Sequence, residues 1–178
     1  MVQANSRPEA QAAGTAEQTQ QYLTFVLAGE VFAMGILAIK EIIEYAELTE
    51  VPMMPEYVRG VINLRGAVVP VIDLSVRFGK PSSPVTKRTC IVIIEVETHN
   101  ERHVLGVVVD AVNAVLDIPA SEVEPPPAFG ASIRTDFIRG MGKVSGKFVI
   151  LLDVNHVLAA DEMDVLVVAQ PAAAGAAV

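Results

Sequence analysis

The stretch Val58–Leu74, VRGVINLRGAVVPVIDL, has a counterpart eighty residues downstream. Without a gap, Arg59, Gly60, Gly66, Val69 and Asp73 fall on Arg139, Gly140, Gly146, Val149 and Asp153. A shift of seventy-three lays Phe32–Ile43 on Leu105–Leu116, mostly apolar on apolar, so that Ile36, Ile39 and Ile42 meet Val109, Val112 and Val115. The difference between the two shifts falls in a longer second connector. The chain therefore reads as two copies of one unit: hairpin, short helix, connector, hairpin, short helix.

Each unit offers four or five short strands. That is too few for an open sheet, whose edges would expose unpaired backbone. Closing each unit into a small barrel removes the edges. Two small barrels sharing a hydrophobic seam suit 178 residues, of which 52% are hydrophobic. With no Trp and 5% aromatics, that core must be mainly aliphatic. The expected fold class is mainly β, two small β-barrel subdomains from an internal duplication, with short helices.

Along the chain, residues 1–20 carry almost nothing large and apolar and read as a disordered tail. Tyr22–Leu27 and Glu30–Ile36 flank Ala28-Gly29 as a hairpin. In Leu37–Tyr45 the residues Leu37, Ile39, Ile42 and Ile43 share a broad helical face, which predicts a short helix. Pro52 and Pro55 make the next segment an extended connector. Tyr57–Leu64 is irregular or a short strand, Arg65-Gly66 turns the chain, and Ala67–Ile72 is a strand with Pro70 marking an edge or a bulge. Asp73 is placed to cap a brief helix, Leu74–Phe78. In the second half, Thr89–Glu97 and Arg102–Val109 form a hairpin, and Asp110 is placed to cap a helix over Ala111–Leu116. A proline-rich connector follows. Gly142–Val144 and Lys147–Leu152 are strands, and Asp153 starts a final helix. Residues 167–178 read as a flexible tail. Subdomain 1 spans about 30–85 and subdomain 2 about 90–155, with the termini completing the barrels, inside a domain of 21–166.

A net charge of −8 disfavours sequence-independent nucleic-acid binding, which needs a basic footprint. No apolar run approaches the roughly 18 residues of a membrane span, and the N-terminus lacks a secretory pattern. The lone cysteine, Cys90, excludes an intrachain disulfide framework and reads as a core thiol. These features point to the cytoplasm. His99, His103 and His156 are scattered and complete no metal set, so no metal or cofactor is expected. No Gly-x-Gly-x-x-Gly or Gly-rich lysine loop is present. Asp73, Asp110 and Asp153 are explained by capping before catalysis. No catalytic constellation emerges, and the chain is not expected to be an enzyme.

The copies differ where a framework would not require them to be the same. Asn63-Leu64-Arg65-Gly66 stands against Lys143-Val144-Ser145-Gly146, and Lys40-Glu41 against Asn113-Ala114. The glycine is kept, as a turn demands. Asn63, Arg65 and Glu41 belong to copy one alone.

The run from Pro52 through Leu74, with Pro55, Tyr57, Gly60, Asn63-Leu64-Arg65-Gly66, Pro70 and Asp73, closely resembles the signature of CheW-like domains. Ile39–Ile42, Gly106–Asp110, Phe137–Gly140 and Ile150–Asp153 extend the match over about 21–166. Ala33 stands where the family usually has glycine, a tolerable change on ordinary strand backbone. The resemblance implies two SH3-like barrels and no enzymatic activity. It implies an adaptor that couples the cytoplasmic tips of methyl-accepting chemoreceptors to the regulatory domain of the histidine kinase CheA, recruited to membrane arrays without insertion. With no room for kinase, phosphoacceptor or receiver domains, it favours a stand-alone coupling protein. It assigns Ile39, Glu41, Ile42, Asn63 and Arg65 to receptor binding and Phe129 to kinase binding. Core packing is the competing account of Ile39 and Ile42, a structural ion pair that of Arg65, and a barrel plug that of Phe129. Two other functions stay open: a paralogue serving another chemosensory system such as surface motility, and a small β-barrel enzyme or ligand-binding module. The last predicts a deep polar pocket with convergent ionisable groups.

Overall fold

The computed structural model describes residues 18–98, 100–126 and 137–157. Eleven strands run β1 Thr19–Leu27, β2 Glu30–Gly35, β3 Ile39–Glu44, β4 Val58–Leu64, β5 Ala67–Asp73, β6 Cys90–Thr98, β7 Glu101–Val109, β8 Ala111–Pro119, β9 Val123–Glu124, β10 Ile138–Val144 and β11 Lys147–Leu152. One short helix, α1 (Leu74–Arg77), and single 3-10 turns at Ile36–Ala38, Ala120–Glu122 and Val154–His156 complete the described elements.

The strands form two sheets, ordered β8-β1-β2-β11-β10-β9 and β3-β6-β7-β5-β4. The second sheet is one continuous run of chain. The first takes β8–β11 and is joined by the N-terminal hairpin β1–β2. Both are built to one plan. In each, two antiparallel hairpins meet through a parallel contact: Val71 opposite Gly106 in one, Leu151 opposite Ala33 in the other. The hairpins β4–β5 and β10–β11 share a register, Gly60 with Val71 and Gly140 with Leu151, each with a bulge one residue earlier, at Arg59 or Arg139. The duplication read from sequence is thus a duplication of hydrogen-bonded structure.

Neither sheet closes into a ring of ladders. The five-stranded sheet instead curls until its edges meet. Thr49, beyond β3, exchanges two backbone hydrogen bonds with Val61 on β4, 3.0 and 2.8 Å. In the other sheet β9 makes the matching contact to β10, Val123 with Gly142 and Glu124 with Met141.

Strand alternation divides the apolar residues into three cores. Ile91, Ile93, Val71 and Val108 fill the inside of one curl. Tyr22, Ala33, Ile118, Val149 and Leu151 fill the other. Their neighbours Val92, Ile94, Val96 and Ile72 point the opposite way and meet Phe25, Phe32 and Met34 in the shared seam. A run of rings crosses that seam, Phe25–Phe32–Phe78–Phe137, at centroid separations of 6.1, 5.8 and 5.6 Å. Arg77 caps it, lying over Phe137 and Tyr57 and donating to the Val157 carbonyl at 2.8 Å.

Two helices expected from sequence are strands. Leu37–Tyr45 is a 3-10 turn followed by β3, and Ala111–Leu116 lies within β8. Each lines the free side of an inner hairpin, β3 on β6 and β8 on β1, where a strand completes a ladder that a helix would leave open. Asp110 therefore caps no helix; its Oδ2 accepts from the Ala28 amide of the first hairpin at 2.9 Å. At the β1 bulge, the Thr24 hydroxyl both donates to the Ala114 carbonyl and accepts from its amide, standing in for lost ladder bonds. The Asp73 cap holds: its Oδ1 accepts from the Ser75 and Val76 amides. Pro70 marks no edge, since β5 lies between β7 and β4. The ladder to β7 begins at Val71, just past it. Ala33 sits on regular strand, fully buried, as its substitution for glycine requires.

Candidate protein-docking site

The β4–β5 turn carries the residues peculiar to copy one. Arg65 and Gly66 both have positive φ, 52° and 87°, as in a hairpin turn whose twist matches its strands. Asn63 Oδ1 accepts from the Gly66 amide at 2.9 Å, so this side chain holds the turn. Ser145 and Gly146 repeat the turn at φ 52° and 80°, but Lys143 has no acceptor to offer in the place of Asn63. Asn, Asp or Gly adopts the first turn position more easily than arginine.

Its guanidinium reaches across the curled sheet. Arg65 on the β4–β5 turn and Glu41 on β3 belong to opposite edges of the sheet order, yet they form a two-pronged ion pair, Nη1 to Oε2 and Nη2 to Oε1, the latter at 2.9 Å. Arg65 is exposed and Glu41 is half-buried. The Arg65 hydrogen bond, before any other effect, holds the Glu41 carboxyl below the ordinary glutamate value, and Glu41 in turn raises Arg65. In copy two the matched positions are Ser145 and Ala114, which cannot form the pair.

The strand period rearranges the isoleucines. A helix would have put both Ile39 and Ile42 toward the core. On β3, Ile39 is half-buried against the seam and Ile42 is 42% exposed. Val115, the partner of Ile42 in the repeat, is likewise exposed, at 45%. Leu37, expected on the buried helical face, stands 98% exposed in the 3-10 turn. Neither the exposure of Leu37 nor the Thr49 closure of the sheet was legible in the motif; the first depends on the 3-10 turn before β3 and the second on a non-local pairing with Val61. The structure thus brings Glu41, Arg65 and the turn-holding Asn63 together on one rim, with Ile42 next to Glu41 on β3. Phe129 lies outside the described residues.

Of three open clefts, those of about 400 and 440 Å³ lie at the 3-10 turn before β3, and one of about 300 Å³ lies between β1, β8 and β10. The ionisable groups of the cleft of about 440 Å³, Lys40, Glu95, Glu97 and Arg102, are tied to one another in ion pairs. Among the described residues, no group of His, Cys, Asp and Glu is placed to hold a metal, and no helix is long and apolar enough to cross a membrane. Burial, first, pushes the Cys90 thiol up.

Two curled sheets about one seam, with the Arg65–Glu41 pair on one copy only, define a duplicated β-domain. The family model of the CheW-like domain matches residues 21–162, and the chain belongs to that family. It is 33% identical to the chemotaxis protein CheW of Klebsiella aerogenes over 81% of this chain and 84% of that one. Identity to CheW of Bacillus subtilis is 34%, over 78% and 86%. The crystal structure of the scaffolding protein TtCheW from Thermoanaerobacter tengcongensis superimposes with a TM-score of 0.73 at 32% identity, over 82% of this chain and 91% of that one. Protein FrzA of Myxococcus xanthus is 27% identical over 78% and 84%.

Proposed function

We propose that this chain is a chemotaxis scaffold that couples chemoreceptor tips to the regulatory domain of the histidine kinase CheA. Receptor contact runs through the rim of Glu41 and Arg65 with Ile42 beside it. Ile39 supports that strand from within, and Asn63 fixes the turn that aims Arg65. Phe129 contributes to the kinase contact. The protein works in the cytoplasm at membrane-bound arrays and turns over no substrate. The observation that carries this reading is the Arg65–Glu41 pair. It spans the two edges of one curled sheet, it is absent from the otherwise matching copy, and it places a side chain on a turn position that favours smaller residues. A charged clasp beside exposed aliphatic side chains suits the flank of a helical partner.

The test is a pull-down with the organism's own CheA and receptor tips. Arg65→Ala should weaken receptor capture while leaving the thermal midpoint nearly unchanged. If the variant unfolds instead, Arg65 is structural; if the wild type captures neither protein, the scaffold reading is wrong. A second reading keeps the scaffold and changes the pathway. Similarity to FrzA favours it, and pull-down by a different receptor–kinase set would establish it.

A further inference from the structure

The repeat supplies a comparison that isolates one arginine. Arg59 and Arg139 are bulge residues at matching places on β4 and β10. Arg59 is fully engaged: Nε donates to Asp73 Oδ2 at 2.9 Å, Nη1 to the Tyr45 hydroxyl at 3.1 Å and Nη2 to the Ser83 carbonyl at 3.2 Å. The carboxylate that would serve Arg139 in the same way is Asp153. It is taken by its own turn, with Oδ2 against His156 Nδ1 at 2.9 Å and Oδ1 accepting from the Asn155 amide at 3.1 Å. Arg139 is exposed and makes no ion pair or side-chain hydrogen bond with any described residue.

It stands at the junction of two clefts. One, of about 400 Å³, is shared with Gln20, Leu37 and Asp153; the other, of about 300 Å³, with Gln20, Tyr22 and Ile118, and among its described lining residues Arg139 is the lone charged side chain. The first cleft continues past Leu37, Ala38 and Val154 into the third, which Lys40 lines. Lys40 is next in sequence to Glu41. The clefts thus make one track from Arg139, over the exposed Leu37, to Lys40, the residue that precedes Glu41 on β3.

Resting on that coupling reading, we infer that Arg139 is a specificity residue. It receives an acidic side chain of the same helical receptor segment that lies along the track, with Leu37 meeting an apolar neighbour. A planar guanidinium with no ion-pair or side-chain hydrogen-bond partner among the described residues is suited to two-pronged carboxylate recognition, and the described lining of the smaller cleft beside it holds no carboxylate. Copy one uses its equivalent arginine to hold its own framework; copy two releases it for a partner.

The test titrates the full chain with the cytoplasmic tip fragment of a receptor from the same organism. Arg139→Glu should weaken binding at least tenfold, Arg139→Lys should retain most of it, and CheA regulatory-domain affinity should not change. Because Arg139 has no ion-pair or side-chain hydrogen-bond partner among the described residues, the thermal midpoint of Arg139→Glu should match wild type; a large drop would make the residue structural and overturn the inference. Equal receptor affinity for wild type and Arg139→Glu would also overturn it. In a scan of Asp→Lys and Glu→Lys changes on the fragment, one should restore binding to Arg139→Glu. If none does, no carboxylate is received there. Wild-type chain that fails to bind the fragment refutes the coupling reading itself, a result distinct from loss in the Arg139 variants alone.

Discussion

Gly60→Ala should open the closure of the five-stranded sheet. Gly60 has φ +151°, and a Cβ placed there would lie 2.5 Å from the Thr49 carbonyl oxygen and 3.0 Å from its carbon. Carbon–oxygen contacts settle at about 3.3 Å or more, so the carbonyl must retreat by roughly 0.8 Å. That oxygen accepts from the Val61 amide at 2.8 Å, and the Thr49 amide donates back at 3.0 Å. Losing both backbone bonds costs about 2 kcal/mol at a net ~1 kcal/mol each. Alanine in a backbone region used mainly by glycine adds about 1–3 kcal/mol. A total of about 3–5 kcal/mol lowers the melting temperature of a domain this size by roughly 10 °C. Gly66→Ala is the control. Its φ is +87° but nothing lies within 4 Å of the added carbon, so only the backbone cost applies. Urea melts and hydrogen exchange at the Val61 amide measure the difference. If Gly60→Ala melts within a degree or two of Gly66→Ala, with Val61 still protected, the closure contributes no such stability and the reasoning fails.

The repeat also predicts unequal arginines: Arg59→Met should cost about 3 kcal/mol by leaving the buried Asp73 without its cation, while Arg139→Met should fall within about 0.5 kcal/mol, both read by denaturant melts. Ile39→Ala should destabilise by about 2 kcal/mol because Ile39 packs on the seam, whereas Ile42→Ala should leave stability almost unchanged and weaken receptor binding in a titration. The Glu41 carboxyl should titrate below the ordinary 4.5, since ionisation is favoured by its Arg65 bond. The pair is therefore complete above that value and lost as pH falls through the lowered one; in Arg65→Gln, carboxyl NMR should show the midpoint move up.

Much of this fold was written locally. Pro70 was readable as a punctuated strand, but not as an interior one, because which strand flanks it is settled by a non-local pairing, Val71–Asp73 of β5 with Gly106–Val108 of β7. The candidate site was legible as residue types, through the difference between Asn63-Leu64-Arg65-Gly66 and its copy. What could not be read was that Asn63 turns inward to its own hairpin while Arg65 reaches outward to Glu41.

The sequence by itself determined the duplication, the hairpins, the glycine turns and the Asp73 cap. Each of these depends on side chains and dihedral preferences within a few residues, and each was repeated in the second copy. Only the tertiary structure decided the state of Leu37–Tyr45. Its apolar residues fit a helical face, and on β3 the bulge at Lys40 instead sets Ile39 and Ile42 opposite Ile94 and Val92 on the seam side, with Ile42 left exposed, and Glu41 and Ile43 opposite Ile93 and Ile91 on the other. Local pattern opposes that arrangement. The open side of β6 supplies the ladder that makes it a strand, and an arginine from the far edge of the curled sheet supplies the partner that lets Glu41 sit there.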